Sequence, residues 1–221
     1  MAKDLTVTVT KDNKGEAMLP VLIIFSRFPE PGKSKTRMIP ALGALGAAQL
    51  HEEMTRHTLR TANELARNYP VSVEVHVAGG DVESMRQVFG CGLSYQAQVE
   101  GDLGQKMYAA LAAAFGQGAN RAIVIGADCP NLTPVILRQA FDALESEELV
   151  LGPAQDGGYY LIGSRRVWPQ LFTSIPWGSQ QVFARTLLAA HGAGLNPHIL
   201  ETLPDVDRPE DLPIWEAARH R

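Results

Sequence analysis

Cysteine is scarce: Cys91 and Cys129 are the only two in 221 residues. That excludes a disulfide scaffold and makes a reducing, cytoplasmic setting the expectation. No apolar run reaches the roughly 18 residues that a membrane-spanning helix needs. Residues 1–18 also lack the apolar core of a signal peptide. Charge of one sign is missing as well. Twenty Lys and Arg against 24 Asp and Glu leave a formal net charge of −4, so no global basic field exists to attract a nucleic-acid backbone. The chain has no G-x-x-x-x-G-K-S/T, no G-x-G-x-x-G after its first strand and no G-x-S-x-G. These absences disfavour P-loop NTPases, dinucleotide oxidoreductases and α/β-hydrolases. The six histidines show neither H-x-x-H nor H-E-x-x-H spacing, so a zinc site is not expected. His51, His57 and His191 fall on predicted helices and read as surface or satisfied core residues.

What is present suits one sizeable domain, with 45% hydrophobic residues, 20 glycines and 14 prolines. That much glycine and proline implies many element boundaries and a mixed architecture. Residues 1–18 read as an extension in which Leu5–Thr10 alternates like a half-exposed strand, able to add an edge to its own sheet or a neighbour's; residues 19–221 read as a single domain. Leu19–Ser26 is a nearly unbroken apolar run, the pattern of a strand buried on both faces. A long helix follows from about Ala44 to Asn68, with Leu50, Met54, Thr58, Ala62 and Leu65 on one stripe. Strands are expected at Val71–Ala78, Leu93–Gln98, Arg121–Asp128 and Pro197–Thr202, and helices at Asp81–Phe89, Asp102–Phe115, Thr133–Leu144, Ser179–His191 and Pro209–His220. Leu149–Ala154 and Tyr159–Ser164, separated by Q-D-G-G, form a hairpin-type reversal. The sum is a three-layer α/β/α sandwich on a mainly parallel mixed sheet. In such sheets ligands bind beyond the carboxyl ends of the strands.

After the first strand comes Arg27-Phe-Pro-Glu-Pro-Gly32-Lys33-Ser-Lys35-Thr-Arg37, with four cations on a loop whose path Pro and Gly constrain. Lysine supplies point charge and arginine a planar fork, which together make a polyphosphate grip; the plain alternative is a solvated basic loop. Asp128 follows the most apolar strand and is placed to ligate a hard divalent cation, unless it only caps a helix. Asp205 and Asp207 point the same way if their segment stays extended, so one of them can meet Asp128 across a metal. Asp211 reads as part of a helix start. The Asp156-Gly157-Gly158-Tyr159 turn lets a ligand lie on backbone and offers a carboxylate to hydroxyls or amines; it also reads as a plain hairpin turn. Gly101 and Lys106 flank the start of a helix, allowing close approach and a cation for a phosphate or base edge. Cys129 reads as a small buried filler, having no cationic activator beside it.

Taken in order, FPEPGKSKTR, GDLGQKM, GADCPNL, GPAQDGGYYLIG, PWGSQQV and DVDRPEDL resemble a bacterial family of GT-A-fold proteins labelled glycosyltransferase-like or nucleotide-diphospho-sugar transferase. The similarity runs from about residue 20 to 215. More distantly, the chain is similar to phospholactate and molybdenum-cofactor guanylyltransferases. The resemblance implies a GT-A fold and a metal-dependent transferase using Mg²⁺ or Mn²⁺. It implies a nucleoside triphosphate or sugar-nucleotide donor, a small-molecule acceptor, and a monomer or homodimer. Carried over by position, Arg27, Gly32, Lys33, Lys35, Arg37, Gly101 and Lys106 are expected around the nucleotide, and Lys35, Arg37 and Asp128 at the chemistry. Asp128 and Asp207 are expected on the metal with Asp205 as the nearest substitute, and Asp156, Gly157, Gly158 and Tyr159 by the acceptor. Arg27 stands where lysine is commoner, Lys106 where arginine and Ser179 where threonine are expected. Three cations in the first loop suit a triphosphate better than a diphosphate, which favours nucleotidyl over glycosyl transfer; a non-catalytic nucleotide-binding protein is the third reading.

Overall fold

The computed structural model describes residues 19–219; the strand expected at Leu5–Thr10 lies outside them. Among the described residues seven strands form one sheet: β1 (Val21–Arg27), β2 (Ser72–Ala78), β3 (Ser94–Ala97), β4 (Ala122–Ile125), β5 (Leu149–Pro153), β6 (Tyr159–Ser164) and β7 (His198–Ile199). Their order is β3-β2-β1-β4-β6-β5-β7. β1 pairs in parallel with both β2 and β4, and β6 runs antiparallel to both of its neighbours. The unbroken apolar run of β1 follows from this central place, where both faces are covered by helices.

Six α-helices flank the sheet: α1 (Ile39–Asn68), α2 (Val82–Phe89), α3 (Leu103–Gly116), α4 (Pro134–Ala143), α5 (Val182–Gly192) and α6 (Leu212–Ala218). All five residues of the stripe expected on α1 are buried. Leu59, Ala62 and Leu65 join α4 and one sheet face in one core cluster. Met107, Leu111 and Ala114 of α3 join Ala190 of α5 against the other face. α1 begins earlier than the apolar period indicates. Its first turn contains Pro40, and Gly43 then breaks the helical path with φ 68°, so the regular helix starts where the period places it. Thr133 Oγ1 caps α4 by accepting from Ile136 N–H at 3.3 Å, and Asp102 forms a capping box with Gln105 at the start of α3.

Several boundaries differ from expectation, among them a closing helix that opens with a 3-10 turn, Pro209–Asp211, before α6, and three others that bear on the site. β4 stops at Ile125 rather than Asp128, because β6, its antiparallel neighbour, begins at Tyr159 and its last pair in the ladder is Ile125 with Leu161. Asp128 is thereby left beyond the sheet. β7 is only two residues long; among the described residues it is an edge strand paired with β5 alone, and one further bridge joins Ala154 to Leu203. α5 starts at Val182 rather than Ser179, after a turn in which Phe183 N–H donates to Gly157 O at 2.9 Å.

Candidate nucleotide and metal site

The parallel strands deliver their carboxyl ends to one side of the sheet, and a cavity of about 690 Å³ opens there. That is the size of a pocket for a nucleotide-scale ligand. Arg27 leaves β1 onto the wall, and the loop behind it folds around Ser34, whose hydroxyl donates to Phe28 O at 2.9 Å and accepts from Glu30 N–H at 3.1 Å. Lys33 pairs with Glu30 at 2.9 Å near the cavity mouth.

Lys35 then takes a left-handed backbone conformation, φ 48° and ψ 46°, which costs a non-glycine residue energy and so needs compensation. Compensation comes from its side chain, only 4% exposed, whose Nζ sits 2.6 Å from Asp128 Oδ1. The same ammonium donates to Val206 O. Val206 N–H in turn donates to Asp128 O at 2.9 Å, which fastens the segment after β7 to the end of β4. Val206 is fully buried with Met38, Met54 and Trp215. Alternation along this extended segment then sends Asp205 and Asp207 the other way, and both line the cavity. Arg37 pairs with Asp207. Asp211 accepts from the backbone N–H groups of Asp207 and Arg208 at 3.0 and 2.8 Å, which fits its reading as part of a helix start.

Partial desolvation pushes the Asp128 carboxyl up, but the charge and hydrogen bond of Lys35, with His51 adding to them, outweigh it and hold the group below the ordinary carboxylate range. Asp205 is moved the opposite way, raised by burial and then by the negative charges of Asp156, Asp211 and Asp207. The donor set therefore fits a hard divalent cation. Asp128, Asp156, Asp205 and Asp207 line one cavity, Lys35 occupies a single oxygen of Asp128, and Asp205 has Asp156, Asp211 and Asp207 as negative neighbours. Among the described residues no group of three or more His, Cys, Asp or Glu side chains is placed to hold a metal ion. Mg²⁺ ordinarily takes only one or two carboxylates and completes its shell with phosphate and water oxygens.

Lys33, Lys106, Asp156, Gly158 and Tyr159 also lie on the wall, whereas Gly32, Gly101 and Gly157 do not. Gly157 has φ +89°, and a Cβ there would sit 2.2 Å from Gln180 O. The close approach it permits is to protein backbone, which corrects its reading as a seat for a ligand. Asp156 Oδ1 accepts from Gly158 N–H at 2.7 Å and shapes the turn. Cys129 is buried, and burial first of all pushes its thiol well up, in keeping with a filler.

His51, read as a surface or satisfied core residue, is a satisfied core histidine, buried with Nε2 2.9 Å from Arg27 O, but its place on the cavity wall was given no role. Its signal was a second, polar stripe on α1: Thr55, one turn on, is also buried and bonded to Ser26 at 3.0 Å. Trp177, inside the quoted P-W-G-S-Q-Q-V motif, was likewise given no role and lines the cavity.

Comparison with known proteins follows the same outline. Residues 61–179 match the family described as "Uncharacterized protein conserved in bacteria (DUF2064)". A crystal structure from Desulfovibrio desulfuricans G20, provisionally named a nucleotide-diphospho-sugar transferase, is 30% identical, with 89% of this chain and 85% of that chain covered and a TM-score of 0.80. At 16% identity, CMP:2-keto-3-deoxy-manno-octonic acid synthetase in complex with CTP shares the fold, with a TM-score of 0.58 over 90% of this chain and 97% of that one. So does glucosyl-3-phosphoglycerate synthase of Mycobacterium tuberculosis, in complex with Mn²⁺, UDP and glucosyl-3-phosphoglycerate, at 13% identity and a TM-score of 0.56 over 92% and 76% of the two chains. No curated protein matches the sequence significantly. The chain belongs to the DUF2064 family of bacterial proteins and has the nucleotide-diphospho-sugar transferase fold.

Proposed function

We propose that residues 19–221 form a single divalent-metal-dependent transferase domain that takes a nucleoside triphosphate or sugar nucleotide as donor, with nucleotidyl transfer favoured. The observation that carries this reading is the meeting of Lys35 and Arg37, from one loop, with Asp128 and Asp207 at two other strand ends. Five Lys and Arg and four Asp line the cavity. The acids call for a cation and the basic residues for an anion, and a metal–polyphosphate pair satisfies both.

Phosphoryl and nucleotidyl transfer need positioning and charge neutralisation more than covalent help. In this reading Asp128 and Asp207 hold the metal, with Asp205 beside them. When bound, Mg²⁺ or Mn²⁺ supplies neutralisation of the phosphate oxygens and of the leaving group. Lys35 and Arg37 grip those oxygens, and Arg27, which has no acidic partner among the described residues, adds a third contact. Three loop cations match the charge of a triphosphate and of a departing pyrophosphate, which is the ground for preferring nucleotidyl transfer. Glycosyl transfer would use the same groups on a nucleoside diphosphate.

Thermal-shift titration with nucleoside triphosphates and sugar nucleotides, each with and without Mg²⁺ or Mn²⁺, separates the readings. Metal-dependent stabilisation by a triphosphate with pyrophosphate release supports nucleotidyl transfer, and preference for a sugar nucleotide supports glycosyl transfer. Metal-dependent nucleotide binding without turnover supports a binding protein. Asp128→Ala is expected to abolish metal-dependent nucleotide binding while the fold persists; unchanged binding overturns the site assignment.

A further inference from the structure

The walls of the cavity carry one more cation than carboxylate, five Lys and Arg against four Asp. A bare dication is therefore not drawn to the cavity as a whole, whereas a metal–polyphosphate complex, an anion overall, is. The two basic side chains that meet the aspartates are held in different ways. Lys35 has a side chain only 4% exposed and donates both to Asp128 and to Val206 O, so it is anchored. Arg37 pairs with Asp207 while its own side chain is 61% exposed. Exposed ion pairs are weak, because water and salt screen both charges. The Thr36–Met38 stretch is a 3-10 turn, pinned by Lys35 before it and by the buried Met38 at its end. The side chain of Arg37 is the part left able to move. Its guanidinium answers to more than one carboxylate: the hydrogen bond and charge of Asp207 raise it above its ordinary value, and Asp156 adds to them. Asp156 and Asp207 both act on Asp205 in turn, so Arg37 is the counter-ion of the very acids among which a metal is read to bind.

We infer that Arg37 is an exchangeable counter-ion: it occupies Asp207 until a polyphosphate draws it away, so the carboxylate is released to the metal only when the metal arrives with its phosphate. This rests on the metal-and-nucleotide reading above and adds an order of events to it. A guanidinium fork takes phosphate oxygens as readily as carboxylate ones. Its transfer lifts a positive charge from Asp207 as the dication needs that acid, and the same movement places the charge on the phosphates. Free metal receives no such help and must face the guanidinium. Metal and polyphosphate each bind more tightly in the presence of the other, by the same factor in both directions.

The test is metal binding, not turnover. Mn²⁺ alone is titrated into the intact chain, and its uptake is read from loss of the free-ion electron paramagnetic resonance signal. Arg37→Ala and Arg37→Met are expected to bind Mn²⁺ about tenfold more tightly than the parent, the effect of a unit charge about 6 Å from a dication in a water-like medium. Arg37→Lys, which keeps the charge, is expected to stay within about threefold of the parent. Arg37→Ala combined with Asp207→Asn is expected to lose the gain. Mg²⁺–tripolyphosphate, followed by calorimetry, is expected to bind Arg37→Ala about tenfold more weakly than the parent. A side chain that merely shaped the loop would lower both affinities on removal, so the opposite signs separate the two roles. Mn²⁺ binding by Arg37→Ala no tighter than by the parent, a gain that survives Asp207→Asn, or unchanged binding of Mg²⁺–tripolyphosphate overturns the inference and leaves the transferase reading standing. Failure of that reading looks different: neither Mn²⁺ nor Mg²⁺–tripolyphosphate binds to the parent or to any variant, which removes the reading and the exchange together.

Discussion

Lys35 is the residue whose removal tests most of the site's construction. Its ammonium is 4% exposed while the Asp128 side chain is 53% exposed, so water screens one partner only. Exposed ion pairs contribute about 0–1 kcal/mol and breaking a fully buried pair costs about 3–5 kcal/mol, which places this half-buried pair near 2 kcal/mol, at about the midpoint. Lys35→Ala removes the pair and the bond to Val206 O but keeps a side chain at φ 48°. Lys35→Gly removes the same contacts and relieves the left-handed strain. That relief is worth about 1–2 kcal/mol, partly offset by the extra freedom of glycine in the unfolded chain, about 0.5–1 kcal/mol. Lys35→Ala is thus expected to cost about 2 kcal/mol and Lys35→Gly about 1.5 kcal/mol. With a urea m-value near 3 kcal/mol/M, the midpoints fall by about 0.7 M and about 0.5 M. Raising the salt from about 0.05 M to about 1 M should narrow the gap between either variant and the parent, since one partner is solvated. An alanine variant within about 0.3 kcal/mol of the parent refutes the pair as a stabilising contact, and a glycine variant less stable than alanine refutes the strain.

Two further outcomes follow from the same structure. Burial holds the His51 imidazole below its ordinary value of 6.5 against the opposing pull of Asp128 and the Arg27 carbonyl. As pH falls through that value the unfolded chain gains a proton that the folded chain resists, so stability declines, with a limiting slope of about 1.4 kcal/mol per pH unit. His51→Gln should therefore lose less stability than the parent between neutral and mildly acidic pH in urea titrations, and identical slopes would show that His51 is not the titrating group. Gly163 lies between β4 and β5, where a Cβ would come within 2.6 Å of Ile123 Cγ1 and 2.8 Å of Val150 Cγ1. Gly163→Ala is expected to cost about 1–3 kcal/mol through overpacking, read as a lower urea midpoint, and no loss would mean that the sheet yields more easily than this packing implies.

Much of the fold was legible from local pattern. β1 and β4 announce themselves because a strand covered on both faces must be apolar throughout, and α1 because a helix packed along one side repeats its apolar residues every turn. The Q-D-G-G reversal marked the entry to β6, the strand that runs against both of its neighbours. The boundaries of β7 and α5 were less legible, because β7 is, among the described residues, an edge paired on one side only, and the start of α5 depends on a bond from Phe183 to Gly157. The place of His51 on the cavity wall was not legible, because a histidine on a helix carries no sign of what lies across from it.

The sequence by itself determined that a basic loop, a strand-end aspartate and a late Asp-x-Asp would stand at the ends of strands, since each follows its own apolar run and needs only local periodicity to be placed. Only the tertiary structure decided which of these charges meet. Lys35 reaches the carbonyl of Val206, 171 positions along the chain, and Arg37 reaches the carboxylate of Asp207, 170 positions along. Such pairings depend on the order in which strands enter the sheet and on close packing between distant segments, and neither is encoded in the spacing of residues along one stretch of chain.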